Sequence, residues 1–461
     1  MDATTESQSW AEAEFAEAKL GDRRRQARLV SLATGVAESP GGTITRVFGE
    51  SAEREAAYRF LENEEIVPVE IGRAALKACL GRTKGLPYFL VPVDGSSITL
   101  TDREGAFGFG TIGARKFPAR GLEVVSAIGV SPEGTPLGYC GQQYWARPSR
   151  RPRKSHKRRP LEQKETRYLM QAIDFIESER HTVEGAARPW YLVDRAGDFK
   201  ELLAWGARSD AWLTIRANAD RTVSGAEEGH LWSALQGSRT LGHFEFEVSG
   251  SHGRKGRRAR INVRVKKVDL SLKLESAASV AQMWAVLAEE VGTTPAGEDP
   301  IEWMLLTNFP VADFAEASMV IRGYSYRWRI EDFHRTWKTT CRVEDAQLRS
   351  VGAVQRWAVA LGVVAMRIQR LTHLARNQPD LPATEELTTD EVTALLLHKQ
   401  PKRAKSGFVP TIGVAVTWIA EMGGYTGKSS GGPPGAQTIA RGMQRLVVAA
   451  STVAALRTAE M

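Results

Sequence analysis

The chain has 461 residues, 42% of them hydrophobic, with 62 Lys and Arg against 54 Asp and Glu for a net charge of +8. That length and apolar content suffice for two or three packed domains and exclude a disordered chain. No unbroken apolar run approaches the roughly 18 residues of a membrane span, so no membrane partner is expected.

The opening "MDATTESQSWAEAEF" is acidic and polar, unlike a secretory signal. Cys79, Cys140 and Cys341 are few and far apart, which argues against a disulfide framework or structural zinc and suits a reducing, cytoplasmic setting. The basic balance fits a polyanionic partner, and equally an arginine-rich proteome, since Ala, Gly and Arg are all frequent.

Residues 1–70 read as a small helical unit. Ser9 is placed to cap "WAEAEFAEAKL", and "GDRRRQARLVSLATGVAES" clusters Arg23, Arg24, Arg25 and Arg28. A "GGTITRVFG" loop leads to a helix containing "EAAYRFLEN". Clustered arginines on short helices fit a DNA-contacting module or an ordinary solvated face.

From residue 86 the pattern changes. "LPYFLVPVDGSSITL" holds a buried-strand run ending at Asp94-Gly95, and "LEVVSAIGVSPEGTPLGYCGQQYW" reads as a hairpin with a Pro-Glu-Gly turn. A basic loop spans Arg147 to Pro160. An amphipathic helix follows, then a strand ending at Asp194, a helix, and the strand "AWLTIRA" ending near Arg216. Three antiparallel-capable strands followed by alternating helices and strands is the order of an RNase H-like α/β core, as in retroviral integrases. Strand-like segments at about 221–310 read as a β insertion. The boundaries expected are 1–70 for the N-terminal helical, DNA-contacting unit, 71–375 for the RNase H-like core with its insertion, and 376–461 for a C-terminal helical unit.

Asp94 and Asp194 each end an apolar strand. Alone, the first reads as a turn and the second as a helix cap. In an RNase H-like sheet, however, the first and fourth strands end side by side, and a carboxylate from a later helix can join them. Three gathered carboxylates repel unless cations neutralise them. Mg²⁺ is the natural choice, and two ions about 3.5–4 Å apart can activate an attacking oxygen and stabilise a leaving one.

The third acid is sought in "YSYRWRIEDFHRTWK", Tyr324 to Lys338. Read as one helix at about 100° per residue, it places Tyr324, Arg327, Glu331 and Lys338 within about 60° of one face. Arg329 and Arg335 add further cations around Glu331. An ordinary ion-pair helix would alternate its signs at i, i+4. Here one acid shares its face mainly with cations, which would need a second anion such as phosphate.

Tyr324-x-x-Arg327-x-x-x-Glu331 with Lys338 beyond resembles the tyrosine-arginine-glutamate-lysine signature of bacterial cut-and-paste DDE transposases. "AKLGDRRRQARLV", "VDRAGDF", "EWMLLTNFPV" and "AEMGGYTGKSSGGPPG" extend the resemblance almost end to end. It implies that Asp94, Asp194 and Glu331 form a metal-binding triad for Mg²⁺, with Mn²⁺ able to substitute. It implies that Tyr324, Arg327 and Lys338 hold phosphates near the cut. Trp303 and Trp328 resemble residues that accommodate a flipped base, though either could instead pack in the core. Arg28, Thr45 and Arg59 match positions that contact the transposon end, and Arg216 is a further candidate phosphate contact.

The resemblance implies a homodimer on two transposon ends, with the helix at 436–459 a candidate contact, and target DNA as a second nucleic-acid partner in the bacterial nucleoid. Departures from the pattern are Ala196 two residues after Asp194, Gly95 after Asp94, and the lack of His and aromatics in "ARGLEVVSAIGV". The alternative reading is a catalytically silent DNA-binding regulator descended from such an enzyme; the intact acids and lysine count against it.

Overall fold

The computed structural model describes residues 9–102, 105–113, 119–148, 159–224, 229–248, 256–274, 278–295, 297–401, 407–428 and 432–460. The chain opens with five helices: α1 (Trp10–Phe15), α2 (Arg23–Glu38), α3 (Ile44–Val47), α4 (Ser51–Glu62) and α5 (Pro68–Gly81). Ser9 caps α1 as expected, and Glu12 makes the cap a reciprocal capping box. Leu29, Leu32, Ala33 and Val36 form the buried stripe of α2, leaving the arginine-rich first turn toward solvent.

Next come β1 (Tyr88–Thr99), β2 (Gly110–Ile112), β3 (Ala119–Val130), β4 (Pro136–Trp145), α6 (Arg167–Arg180), β5 (Arg188–Val193), α7 (Lys200–Gly206) and β6 (Trp212–Arg216). β4, β3 and β1 are antiparallel neighbours, whereas β1, β5 and β6 run parallel. This is the RNase H-like core, mixed α/β as the strand order predicts. The parallel strands are covered on both faces. In β5, Trp190 and Leu192 enter one core and Tyr191 and Val193 the other, so the whole run is apolar without alternation. The predicted β3–β4 turn is present, with Gly134 at φ +86°. A Cβ there would sit 2.4 Å from the Tyr326 ring, so glycine is required on both counts.

The insertion brings α8 (Leu231–Gln236), β7 (Thr240–Val248), β8 (Arg257–Lys273), β9 (Ala278–Val291) and β10 (Glu302–Thr307). These strands extend the core sheet. Its order is β2-β3-β1-β5-β6-β10-β9-β8-β7, with β4 also on β3, and β10 bonds antiparallel to β6. The chain then runs through α9 (Phe314–Ser325), α10 (Arg329–Arg335), α11 (Val351–Asn377), α12 (Thr389–Lys399), α13 (Ile412–Met422) and α14 (Ala436–Glu460).

α11 is the central post. Among the described residues it alone is long and apolar enough to cross a membrane, but 83% of its apolar window is buried inside the protein. Its Arg356 Nη1 donates to the Leu61 carbonyl at 2.7 Å and its Trp357 Nε1 to the Gly42 carbonyl at 2.8 Å, fastening the N-terminal helices to the core. The three cysteines are buried free thiols. Of the basic loop, residues 149–158 lie outside the described residues.

Two expectations need correction. Asp94 does not end its strand: β1 runs on to Thr99, and Asp94 and Gly95 pair with Ser126 and Val125 of β3. What ends there is the parallel pairing, because β5 stops at Val193. Nor is the segment from Tyr324 to Lys338 one α-helix. A 3-10 turn at Tyr326–Trp328 separates α9 from α10, and α10 opens into a π-helical turn at Thr336–Thr340. Each change of hydrogen-bond span rotates the following side chains off the ideal 100° wheel.

Candidate active site

The register of β1 and β5 builds the site. Val93 pairs with Val193, so Asp94 and Asp194 are the next residue on each of two adjacent parallel strands. The carboxyl ends of parallel strands are where an open α/β sheet offers its crevice. Asp194 caps a short 3-10 turn, with Oδ1 accepting from the Ala196 N–H at 2.8 Å. Asp94 Oδ1 accepts from the Gly95 N–H at 2.7 Å. Both acids line a cleft of about 550 Å³ whose walls include Ser96, Glu123, Trp145 and Glu165.

Arg327 links the first acid to the third. Its Nη1 donates to Asp94 Oδ2 at 2.9 Å and its Nη2 to Glu331 Oε1 at 2.7 Å. The residue is only 8% exposed, and its Nε is buried with no hydrogen-bond partner among the described residues. Burial raises the Asp94 carboxyl to about 6; Arg327 opposes that rise, while Asp194 and Glu331 add to it. The three carboxylates therefore share one electrostatic neighbourhood. Among the described residues, no three Asp, Glu, His or Cys side chains stand close enough to hold an ion as they are, and the Arg327 guanidinium lies between Asp94 and Glu331. The oxygen-only donor set, in mutual repulsion and beside a cleft, fits a hard divalent cation.

The other cations of this segment are largely engaged. Arg335 Nη1 lies 3.1 Å from Asp332 Oδ1, and Arg329 donates to the Gly134 carbonyl at 3.0 Å and lies 3.7 Å from Asp332. Lys338, on the π turn, has its Nζ 3.9 Å from Glu344 Oε1. The cation excess read from the helical wheel is thus smaller than expected, because Asp332 and Glu344 lie within reach of these cations. His334 is buried and held down to about 3, first by burial and then by Lys338, so it is neutral.

Tyr324 is buried, its hydroxyl raised to about 12 by burial against the opposing charges of Arg327 and Arg216. Trp303 on β10 is half-buried, edge-on to Tyr324 at 5.4 Å and to Phe246 at 5.7 Å. Trp328 is 54% exposed, with the Arg327 guanidinium 5.5 Å from its ring. Arg216 Nη2 donates to the Glu302 carbonyl at 2.9 Å. Arg28, Thr45 and Arg59 sit exposed on α2, α3 and α4; Arg59 lies 3.5 Å from Glu55.

Sequence reasoning missed Glu123, Arg147 and Glu165. Arg147 joins the two acids, at 2.8 Å to Glu123 and 2.7 Å to Glu165, in the cleft wall beyond Asp94. The only sequence signal is that Arg147 opens the basic loop; nothing local pairs it with a glutamate on β3.

Three family models match the chain. Residues 7–66 match a transposase DNA-binding model, 137–366 a transposase DDE domain, and 363–459 the transposase Tn5 dimerisation domain. The first match contains Arg28, Thr45 and Arg59; the second contains Asp194 and Glu331 and begins after Asp94.

Proposed function

The chain belongs to the Tn5-type DDE transposases, and from that premise we propose that it cuts a transposon out of DNA and pastes it into a target by successive phosphoryl transfers at one site. Asp94, Asp194 and Glu331 would hold two Mg²⁺ ions, or Mn²⁺ in their place, which supply activation of the attacking oxygen and stabilisation of the leaving one. The observation that carries this reading is the closeness of Asp94 to both Asp194 and Glu331 across adjacent elements, with Arg327 between.

Water first attacks a phosphodiester at the transposon end and frees a 3′-hydroxyl. That hydroxyl attacks the opposite strand, closing a hairpin and releasing the flanking DNA. A second water opens the hairpin, and the restored 3′-hydroxyl attacks target DNA. Every step is an in-line displacement at phosphorus, so no covalent protein intermediate is needed.

The side chains divide this work. Tyr324, Arg327 and Lys338 grip phosphates around the reacting one, with Arg216 a further contact. Arg327 gives up its fork on the two carboxylates for a phosphate, which matches the same bidentate geometry. Trp328, exposed beside Arg327, and Trp303 receive a base displaced from the stack as the strand bends into the hairpin, offsetting the lost stacking. Arg28, Thr45 and Arg59 hold the transposon end through the N-terminal helices. Two ends must be joined in concert, so the working form is a twofold synaptic dimer, with α14 in its contact. The place of action is the bacterial cytoplasm, on nucleoid DNA.

The test uses the DNA flanking the gene, placed around a marker on a plasmid. Wild-type protein with Mg²⁺ gives hairpin-ended excised fragment on a denaturing gel, and Glu331→Gln gives none. Specific binding without cleavage by the wild type, in Mg²⁺ and in Mn²⁺, would support the silent-regulator reading instead.

A further inference from the structure

We propose that Glu344 is a positioning residue that aims Lys338 at the reacting DNA, and that the turn at Arg342 exists to place it. The inference rests on the phosphate-gripping role given to Lys338 above. Arg342 lies at φ +53°, ψ 43°, and among the described non-glycine residues only Gln400 shares a positive φ. A long side chain in the left-handed region is strained and persists only where its surroundings impose it.

The surroundings here are specific. The π turn carrying Lys338 closes with the Cys341 N–H donating to the Thr336 carbonyl at 3.0 Å, and the Asp345 N–H donates to the Arg342 carbonyl at 2.9 Å. Gly42, itself at φ +75°, packs against that same carbonyl so tightly that a Cβ would sit 2.0 Å from its oxygen. Its own carbonyl is held by Trp357. The reversal sends the short 3-10 helix Val343–Asp345 back toward β1.

There Glu344 performs two tasks. β5 has ended at Val193, so the far half of β1 has no β5 partner, and Glu344 Oε1 accepts the Thr99 N–H at 2.9 Å. The same oxygen lies 3.9 Å from Lys338 Nζ. A carboxylate fixed to the strand that carries Asp94 thereby fixes where the ammonium sits. Burial raises the Glu123 carboxyl in the wall of the acid cleft; Arg147, and more weakly Lys338, oppose that rise. A separation of 3.9 Å between partly exposed groups adds little stability. Its value is in restricting a flexible four-carbon side chain before DNA arrives.

The experiment is a double-mutant cycle on full-length protein, with end DNA and Mg²⁺, reading the single-turnover nicking rate at saturating DNA. Glu344→Gln keeps an acceptor for Thr99 and removes the charge; its melting temperature is measured alongside to show that the fold is intact. The rate is expected to fall about tenfold in Glu344→Gln and further in Lys338→Met, with the double variant no slower than Lys338→Met alone. A wild-type rate in Glu344→Gln, or an equal tenfold loss in both backgrounds, would overturn the inference and leave Lys338 in its role. A wild-type rate in Lys338→Met would instead remove the phosphate-gripping role itself, and the inference with it.

Discussion

The segment from Tyr324 to Lys338 and the N-terminal helices both present arginines that we propose contact DNA, yet they hold them in opposite ways. Arg327 is buried and forks between two carboxylates. Arg28 and Arg59 stand in solvent, the latter with 74% of its side chain exposed. A cation of the first kind is part of the fold before it is part of the chemistry; one of the second kind is only an electrostatic footprint. The two regions should therefore respond to substitution in different currencies, stability and rate in one and salt-dependent affinity in the other.

The sharpest way to break this contrast is Arg327→Ala. It leaves Asp94 and Glu331 facing each other without their shared cation. We expect end cleavage to drop by about 10³-fold or more and stability to fall by about 2–4 kcal/mol in chelator-treated buffer, read from denaturant midpoints. A variant that cleaves poorly with an unchanged midpoint would show that the fork contributes nothing to the fold.

Asp94→Asn should separate the two currencies. Its folded carboxyl is raised to about 6 from an ordinary 3.8. The folded state therefore holds that proton more tightly, and stability is lost as pH rises between those values. Replacing the acid removes the penalty. Cleavage should vanish, while stability without metal rises by up to about 2–3 kcal/mol at pH 8 and by nothing near pH 3. Urea titrations at the two pH values check this, and an equal effect at both would contradict the assignment.

The two tryptophans sharpen the comparison within the site. Trp303→Ala, losing packing against Tyr324 and Phe246, should cost about 2–3 kcal/mol. Trp328→Ala, more than half exposed, should cost under about 0.5 kcal/mol. Both should slow hairpin formation on pre-nicked DNA more than the first nick. The smallest effects belong to Arg28→Ala and Arg59→Ala. Each should lower the slope of log affinity against log salt by about 1 and leave melting within error.

The core was legible because its parallel strands are buried on both faces. "PWYLV" and "YFLVPV" are unbroken apolar runs, and the acids stand just past the last parallel pair, Val93 with Val193. Asp94-Gly95 misled as a turn because a dipeptide reports local propensity, while β3 supplies pairing partners that no local window contains. The helical wheel put Tyr324, Arg327, Glu331 and Lys338 together, but the 3-10 and π turns between them are set by packing, so the wheel could not show Lys338 beside Glu344. That the insertion joins the core sheet through β10 against β6 was hidden, because sequence order does not report which strands pair. The Arg147 link between Glu123 and Glu165 was invisible for the same reason, since its partners lie on β3 and just before α6.

The central claim is that one set of three acids performs every phosphoryl transfer. The most direct measurement presents Asp94→Asn, Asp194→Asn and Glu331→Gln, each shown to bind end DNA, with two substrates in Mg²⁺: an intact transposon end and one already nicked with a free 3′-hydroxyl. The account predicts that all three variants fail both to nick the first and to close a hairpin on the second, while the wild type does both. A variant that closes hairpins on pre-nicked DNA at the wild-type rate would contradict it, because that step would then belong to other residues.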